Sequence, residues 1–136
     1  MLKNKLKSLL LQAAQEAQKK GICPPGALPE IVIEHPPSPD LGDYASSLPL
    51  KLARGAGIKP MALAESLAKL LPPSPEVAQV EIAPPGFINF TLSEKWLKDQ
   101  VDAILAEGDI AKAGRRIKIT DPMMRYILSS HALFQL

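Results

Sequence analysis

Two side chains in the stretch Val80-Glu81-Ile82-Ala83-Pro84-Pro85-Gly86-Phe87-Ile88-Asn89-Phe90-Thr91-Leu92 have types and spacing that could do chemistry. Successive side chains on a β-strand alternate between faces, so Phe87 and Asn89 would project from one face, about 7 Å apart along the strand. An aromatic ring can stack on a base while a carboxamide reads the base edge, which is how proteins commonly grip an unpaired nucleotide. Ile88, Phe90 and Leu92 would then form the opposite, uniformly apolar face and are candidate core. The competing role for the pair is packing, with Phe87 covering a sheet edge and Asn89 tying down a neighbouring loop.

Catalytic chemistry finds little support. The histidines are His35, inside a proline loop, and His131, near the C-terminal end. No Cys/His set has metal spacing, and no metal is expected. No Gly-rich loop follows a strand and opens a helix, so no phosphate cradle is visible; Gly55-Ala56-Gly57 lies between two helical segments and reads as a connector. Glu34 and His35 are adjacent, and neighbouring strand side chains point to opposite faces, so they do not make a dyad. The single cysteine, Cys23, is followed by two prolines and reads as structural; one cysteine cannot form an intrachain disulfide.

The elements that must position Phe87 and Asn89 follow from periodicity and punctuation. Leu2, Leu6, Leu9, Leu10, Ala13 and Ala17 recur at helical spacing, Lys19 and Lys20 suit the negative end of the helix, and Gly21 is the expected residue just past it. Glu30-Ile31-Val32-Ile33-Glu34 is a β-branched run between prolines and reads as a strand. Asp43 is a good N-cap for a helix starting at Tyr44. Pro49 would then kink that helix, unless its regular part starts later, capped by Ser46 or Ser47, with Pro49 in the first turn. Pro60 opens the next helix, with Leu63, Leu67, Leu70 and Leu71 on one face, and Pro72, Pro73 and Pro75 stop it. Two strands joined by a Pro-Pro-Gly turn follow; proline fixes φ near −65° and glycine tolerates positive φ. Ser93 caps a helix whose stripe is Leu97, Val101, Ile104 and Leu105, flanked by Trp96 and ended by Gly108. Residues 115–120 read as a last strand, and Asp121-Pro122 could start a final helix.

A hairpin makes at least one strand pair antiparallel, so the pattern predicts an α+β fold: a small antiparallel sheet with helices packed on it. At 136 residues and 46% hydrophobic, the chain is one small domain with a real core and an appended tail. Its net charge of +2 neither demands nucleic acid nor forbids it. No secretory signal or apolar run long enough to span a membrane is present, so a cytoplasmic protein with no membrane partner is expected.

Four segments together resemble a known family. They are Leu41-Gly42-Asp43-Tyr44-Ala45, Leu50-Lys51-Leu52-Ala53-Arg54, Pro60-Met61-Ala62-Leu63-Ala64, and the stretch from Val80 to Phe90. In this order they are similar to the N-terminal additional domain of arginyl-tRNA synthetase. The resemblance covers residues 1–112; residues 113–136 are a lead-in strand, resembling the approach to the catalytic domain, and an unmatched tail.

The resemblance implies a domain that docks at the outer corner of arginine tRNA and recognises a protruding D-loop nucleotide. By position, Phe87 and Asn89 match the family's aromatic and amide contacts to that base, and Pro84 is a candidate pocket wall. Candidate phosphate contacts are Lys51, Arg54 and Lys59, which cluster in sequence around one helix end. The Gly-Asp-Tyr-Ala segment caps a helix in the family, so Asp43 and Tyr44 are expected to be structural.

The His-Ile-Gly-His-type and Lys-Met-Ser-Lys-Ser-type catalytic segments of the family do not occur, and the anticodon-binding domain is missing. Arginylation is therefore not expected from this chain alone. It should need no cofactor, since ATP and arginine belong to the absent catalytic domain, and a separate catalytic chain is a candidate partner. The alternative is a protein-interaction or regulatory module that associates through the apolar tail, which carries Met123, Met124, Tyr126, Ile127, Leu128, Leu133, Phe134 and Leu136.

Overall fold

The computed structural model describes residues 2–106, together with Pro122 and Met124. The chain falls into two compact units, Met1–Thr91 and Leu92–Leu136.

In the first unit, α1 (Leu2–Lys19) buries Leu2, Leu6, Leu9, Leu10, Ala13, Ala14 and Ala17, the stripe that the spacing predicts. Its end is a Schellman motif. Gly21 takes φ +74°, its N–H donates to the Gln18 carbonyl at 3.2 Å, and the Ile22 N–H donates to the Ala17 carbonyl at 2.8 Å. The Gln18 side-chain amide then donates to the Pro24 and Gly26 carbonyls at 3.2 and 3.1 Å, pinning the linker to the helix. Cys23, which opens this linker, is buried.

The strand expected over Glu30–Glu34 does not form. One antiparallel bridge joins Glu34 to Ala45, with N–H···O distances of 2.8 and 2.7 Å. It cannot extend. Pro36 has no N–H, and the Asp43 N–H is turned inward to the Phe90 carbonyl at 2.8 Å. In the other direction Ser47 is already the N-cap of a helix.

The helix expected from Tyr44 is also absent. Tyr44–Ser46 is strand β1, antiparallel to β3 (Phe87–Leu92) with Tyr44 opposite Phe90, Ala45 opposite Asn89 and Ser46 opposite Ile88. Cross-strand pairing has overridden the capping signal at Asp43, and Gly42 allows the approach. At φ +118°, a Cβ there would lie 2.9 Å from the Phe90 carbonyl oxygen.

The helix starts later, as α2 (Leu48–Ala53), with Ser47 as N-cap and Pro49 in its first turn. α3 (Pro60–Leu70) opens on its proline and buries Leu63, Ala64 and Leu67, while Leu70 and Leu71 are only half-buried. α3 packs against α1, α2 and strand β2 (Val77–Ala83).

The sheet order is β1-β3-β2, so β3 is the central strand. Its Ile88, Phe90 and Leu92 are at most 2% exposed, the core face expected from alternation. This is an α+β fold, a small antiparallel sheet with helices packed on it. A cleft of about 170 Å³ opens over Phe90 between Leu9, the end of α3 and the start of β2.

In the second unit, α4 (Glu94–Ala106) is capped as expected: the Ser93 hydroxyl accepts the Trp96 N–H at 3.2 Å. Glu94 in the first turn suits the helix dipole. Leu97 and Val101 are buried and Trp96 is half-buried. The side chains of Ile104 and Leu105, the expected strand 115–120, the boundary between residues 112 and 113, and all of the tail except Pro122 and Met124 lie outside the described residues. Among the described residues, no helix is long and apolar enough to cross a membrane.

Candidate nucleic-acid interface

The hairpin that carries Phe87 and Asn89 turns through Pro84-Pro85-Gly86, with a cis bond between the prolines. The turn chemistry differs from expectation at one residue. Gly86 does not adopt positive φ. It is glycine-shaped because of its surroundings: a Cβ there would lie 2.7 Å from the Pro60 Cβ and 3.4 Å from both the Cβ and the backbone nitrogen of Leu50. The hairpin tip is seated on the first turns of α2 and α3.

That seat completes the start of α2. A helix leaves its first backbone N–H groups without intrahelical partners. Here the Leu48 N–H donates to the Ser46 hydroxyl at 3.2 Å. Pro49 has no N–H to satisfy. The Leu50 N–H donates to the Gly86 carbonyl at 3.2 Å, and the Lys51 N–H, bonded to the Ser47 carbonyl at 3.1 Å, begins the helical ladder. The Ser47 side chain makes no capping bond. Every donor of the first turn is thus accounted for, one of them by the hairpin.

Phe87 and Asn89 share a face, but they are not equally accessible. Phe87 is half-buried, so part of the residue reaches solvent, and Pro84, three residues earlier in the turn, is exposed. Asn89 is only 6% exposed, and its cross-strand neighbour Ala45 is buried at 4%. Among the described residues, no fully buried side-chain nitrogen or oxygen lacks a hydrogen-bond partner. The Asn89 amide is therefore either paired within the fold or open through its small remaining surface.

Two of the three cations, Lys51 and Lys59, directly adjoin the residues on which the hairpin tip is seated. Lys51 follows Leu50 directly, is half-buried, and its Nζ donates to the Glu30 carbonyl at 3.4 Å. Arg54 is the exposed C-cap of α2, and Lys59, also exposed, is the N-cap of α3 immediately before Pro60. Neither helix has an acidic residue in its first turn. The positive end of the α3 dipole thus adds to the lysine charge.

The remaining candidates are structural. Tyr44 is 1% exposed. Its ring lies 5.2 Å from that of His35, tilted by 31°, and 5.9 Å from the Lys3 Nζ. His35 Nδ1 is 3.4 Å from the Asp43 carbonyl oxygen. Burial pushes the Cys23 thiol pKa up, away from reactivity. Among the described residues, no three His, Cys, Asp or Glu side chains group as metal ligands. Sequence reasoning missed the seat formed by Leu50, Pro60 and Gly86. Pro60 was legible only as a helix opener, and no periodicity links it to the hairpin.

Fold and site together define a small α+β module whose central hairpin is clamped on two helix starts. Residues 4–92 match the family described as the arginyl-tRNA synthetase N-terminal domain. The arginine–tRNA ligase of Dehalococcoides mccartyi is 44% identical over 106 residues, 78% of this chain and 19% of that protein. That of Coxiella burnetii is 42% identical over 107 residues, 79% of this chain and 18% of that protein. Among solved structures, Thermus thermophilus arginyl-tRNA synthetase superposes with a TM-score of 0.59 at 25% identity, over 74% of this chain and 16% of that one. Plasmodium falciparum arginyl-tRNA synthetase, at 14% identity and a TM-score of 0.60 over 72% of this chain and 17% of that one, shares the fold. The chain belongs to the arginyl-tRNA synthetase N-terminal domain family, and it spans about a fifth of the length of the curated relatives it matches.

Proposed function

We propose that this chain is a tRNA-docking domain that supports ATP-dependent arginylation and does no chemistry itself. The observation that carries the reading is the family match over residues 4–92, aligned with only about a fifth of proteins named arginine–tRNA ligases. Catalysis, with ATP and arginine, belongs to the remaining length of such a protein or to a separate catalytic chain.

In this reading the domain meets the D-loop corner of arginine tRNA. A protruding base stacks on the open part of the Phe87 ring, with Pro84 as a wall and the Asn89 amide at the back of the pocket. Lys51, Arg54 and Lys59 contact phosphates and set the register of the RNA on the hairpin tip. The placement of Lys51 and Lys59 next to the residues that seat the tip supports the assignment, as does the incomplete burial of Phe87. A patch this small gives weak, salt-dependent binding on its own, and full affinity comes from linkage to other RNA-binding domains.

The test is a salt titration of binding between the full chain and arginine tRNA, with a D-loop nucleotide deletion as comparison. Binding should fall with salt and fall again with the deletion. Equal binding of both RNAs would remove the base pocket from the reading, and no binding at low salt would remove tRNA docking by this chain.

A further inference from the structure

The seat of the hairpin tip has a consequence for how the interface is held together. Phe87 lies on the sheet, whereas Lys51 and Lys59 lie on two helix starts, and no secondary-structure element contains all three. What joins them is Gly86. Its carbonyl accepts the Leu50 N–H at 3.2 Å, one residue from Lys51. Its Cα face lies against Pro60, one residue from Lys59. Phe87 is the next residue along the strand. With 3.8 Å between consecutive Cα atoms, these contacts hold the Cα atoms of Phe87 and Lys59 within about 13 Å of one another. Any Cβ at position 86 would come within 2.7 Å of the Pro60 Cβ, and Gly86 is buried, so the tip would have to lift off the helices.

We infer that Gly86 is a positioning residue: by lacking a side chain it locks the hairpin onto α2 and α3, so that the ring of Phe87 and the charges of Lys51 and Lys59 act as one rigid surface. The role of that surface rests on the tRNA-docking reading, whereas the lock itself does not. A rigid surface loses less conformational entropy on binding than one whose parts move independently, and its two halves are energetically coupled.

The experiment has two arms. In the first, amide hydrogen exchange is measured on the full chain without RNA. Gly86→Ala should strip protection from the Leu50 amide, which bonds to Gly86, and leave the Asp43 amide, which bonds to Phe90, protected. Gly86→Ala combined with Pro60→Gly, which removes the contacted Cβ, should restore the Leu50 amide. Unchanged protection in Gly86→Ala overturns the lock. Should the single variant not fold, the double variant decides: if it too fails to fold while Pro60→Gly folds, the contact is not the cause and the inference falls.

In the second arm, Phe87→Ala is introduced into the native and Gly86→Ala backgrounds, and binding to arginine tRNA is compared. It should cost about tenfold in the native background and less than about twofold with Gly86→Ala. The same loss in both backgrounds overturns the coupling. Absence of binding by the native chain overturns the docking reading, and the exchange arm still decides the lock.

Discussion

Asn89 lies directly opposite Ala45 in the ladder between β1 and β3, and both side chains are buried on the face turned away from Ile88 and Phe90. The sheet is therefore covered on both faces at this pair. An amide in that position must find hydrogen bonds inside the protein or at a narrow opening.

Asn89→Ala tests whether the amide belongs to a buried network, since removing an amide paired in the fold should cost roughly 1–3 kcal/mol of stability. Thr91→Ala, on the same face of β3 but half-buried, should cost less. Urea unfolding of both variants decides the point. A neutral Asn89→Ala would mean that the amide is not part of the buried network.

Phe87 and Phe90 separate binding from folding. Phe90 is fully buried, and Phe90→Ala should cost about 3–5 kcal/mol. Phe87 is half-buried, and its truncation should cost no more than about 2 kcal/mol of stability. The same change should weaken tRNA binding by roughly 1–3 kcal/mol. Equal destabilisation by both variants would place Phe87 in the core and end its candidacy as a stacking platform.

The two serines before α2 are adjacent in sequence and unequal in role. Ser46 is 1% exposed and its hydroxyl accepts the Leu48 N–H, so Ser46→Ala should cost about 1 kcal/mol. The Ser47 side chain caps nothing, and Ser47→Ala should change stability by no more than about 0.5 kcal/mol. Thermal or urea unfolding of the pair tests the assignment, which a reversed order would refute.

Cys23 gives a pH dependence with a defined sign. Burial raises the folded thiol pKa above that of the unfolded chain, so the folded state holds its proton longer. The contribution is fully present below about pH 8.5, where the unfolded thiol begins to ionise, and is lost as pH rises through the folded value. As pH rises above about 8.5, the native chain should lose stability faster than Cys23→Ala. Parallel stability curves for the two would show that the thiol is not desolvated.

Much of the local structure is legible in the residues themselves. The apolar stripe of α1, the glycine that ends it, the proline that opens α3, the Ser93 cap and the alternation of Ile88, Phe90 and Leu92 are patterns that repeat within one or two turns or along one strand. Periodicity and capping act over that range, so sequence reveals them.

Three features needed the tertiary structure. Tyr44–Ser46 is a strand because it pairs with residues distant in sequence, and ladder hydrogen bonds outweigh a local capping preference. Glu34 keeps a single bridge because Pro36 and the inward-turned Asp43 leave nothing to extend it. Gly86 is required by Pro60 and Leu50 rather than by its own φ. The sequence by itself determined the helices α1, α3 and α4, the β2–β3 hairpin and which face of β3 is core. Only the tertiary structure decided how deeply Asn89 is set and what holds Phe87 beside the lysines, because burial and close contact are made by residues that no local pattern connects.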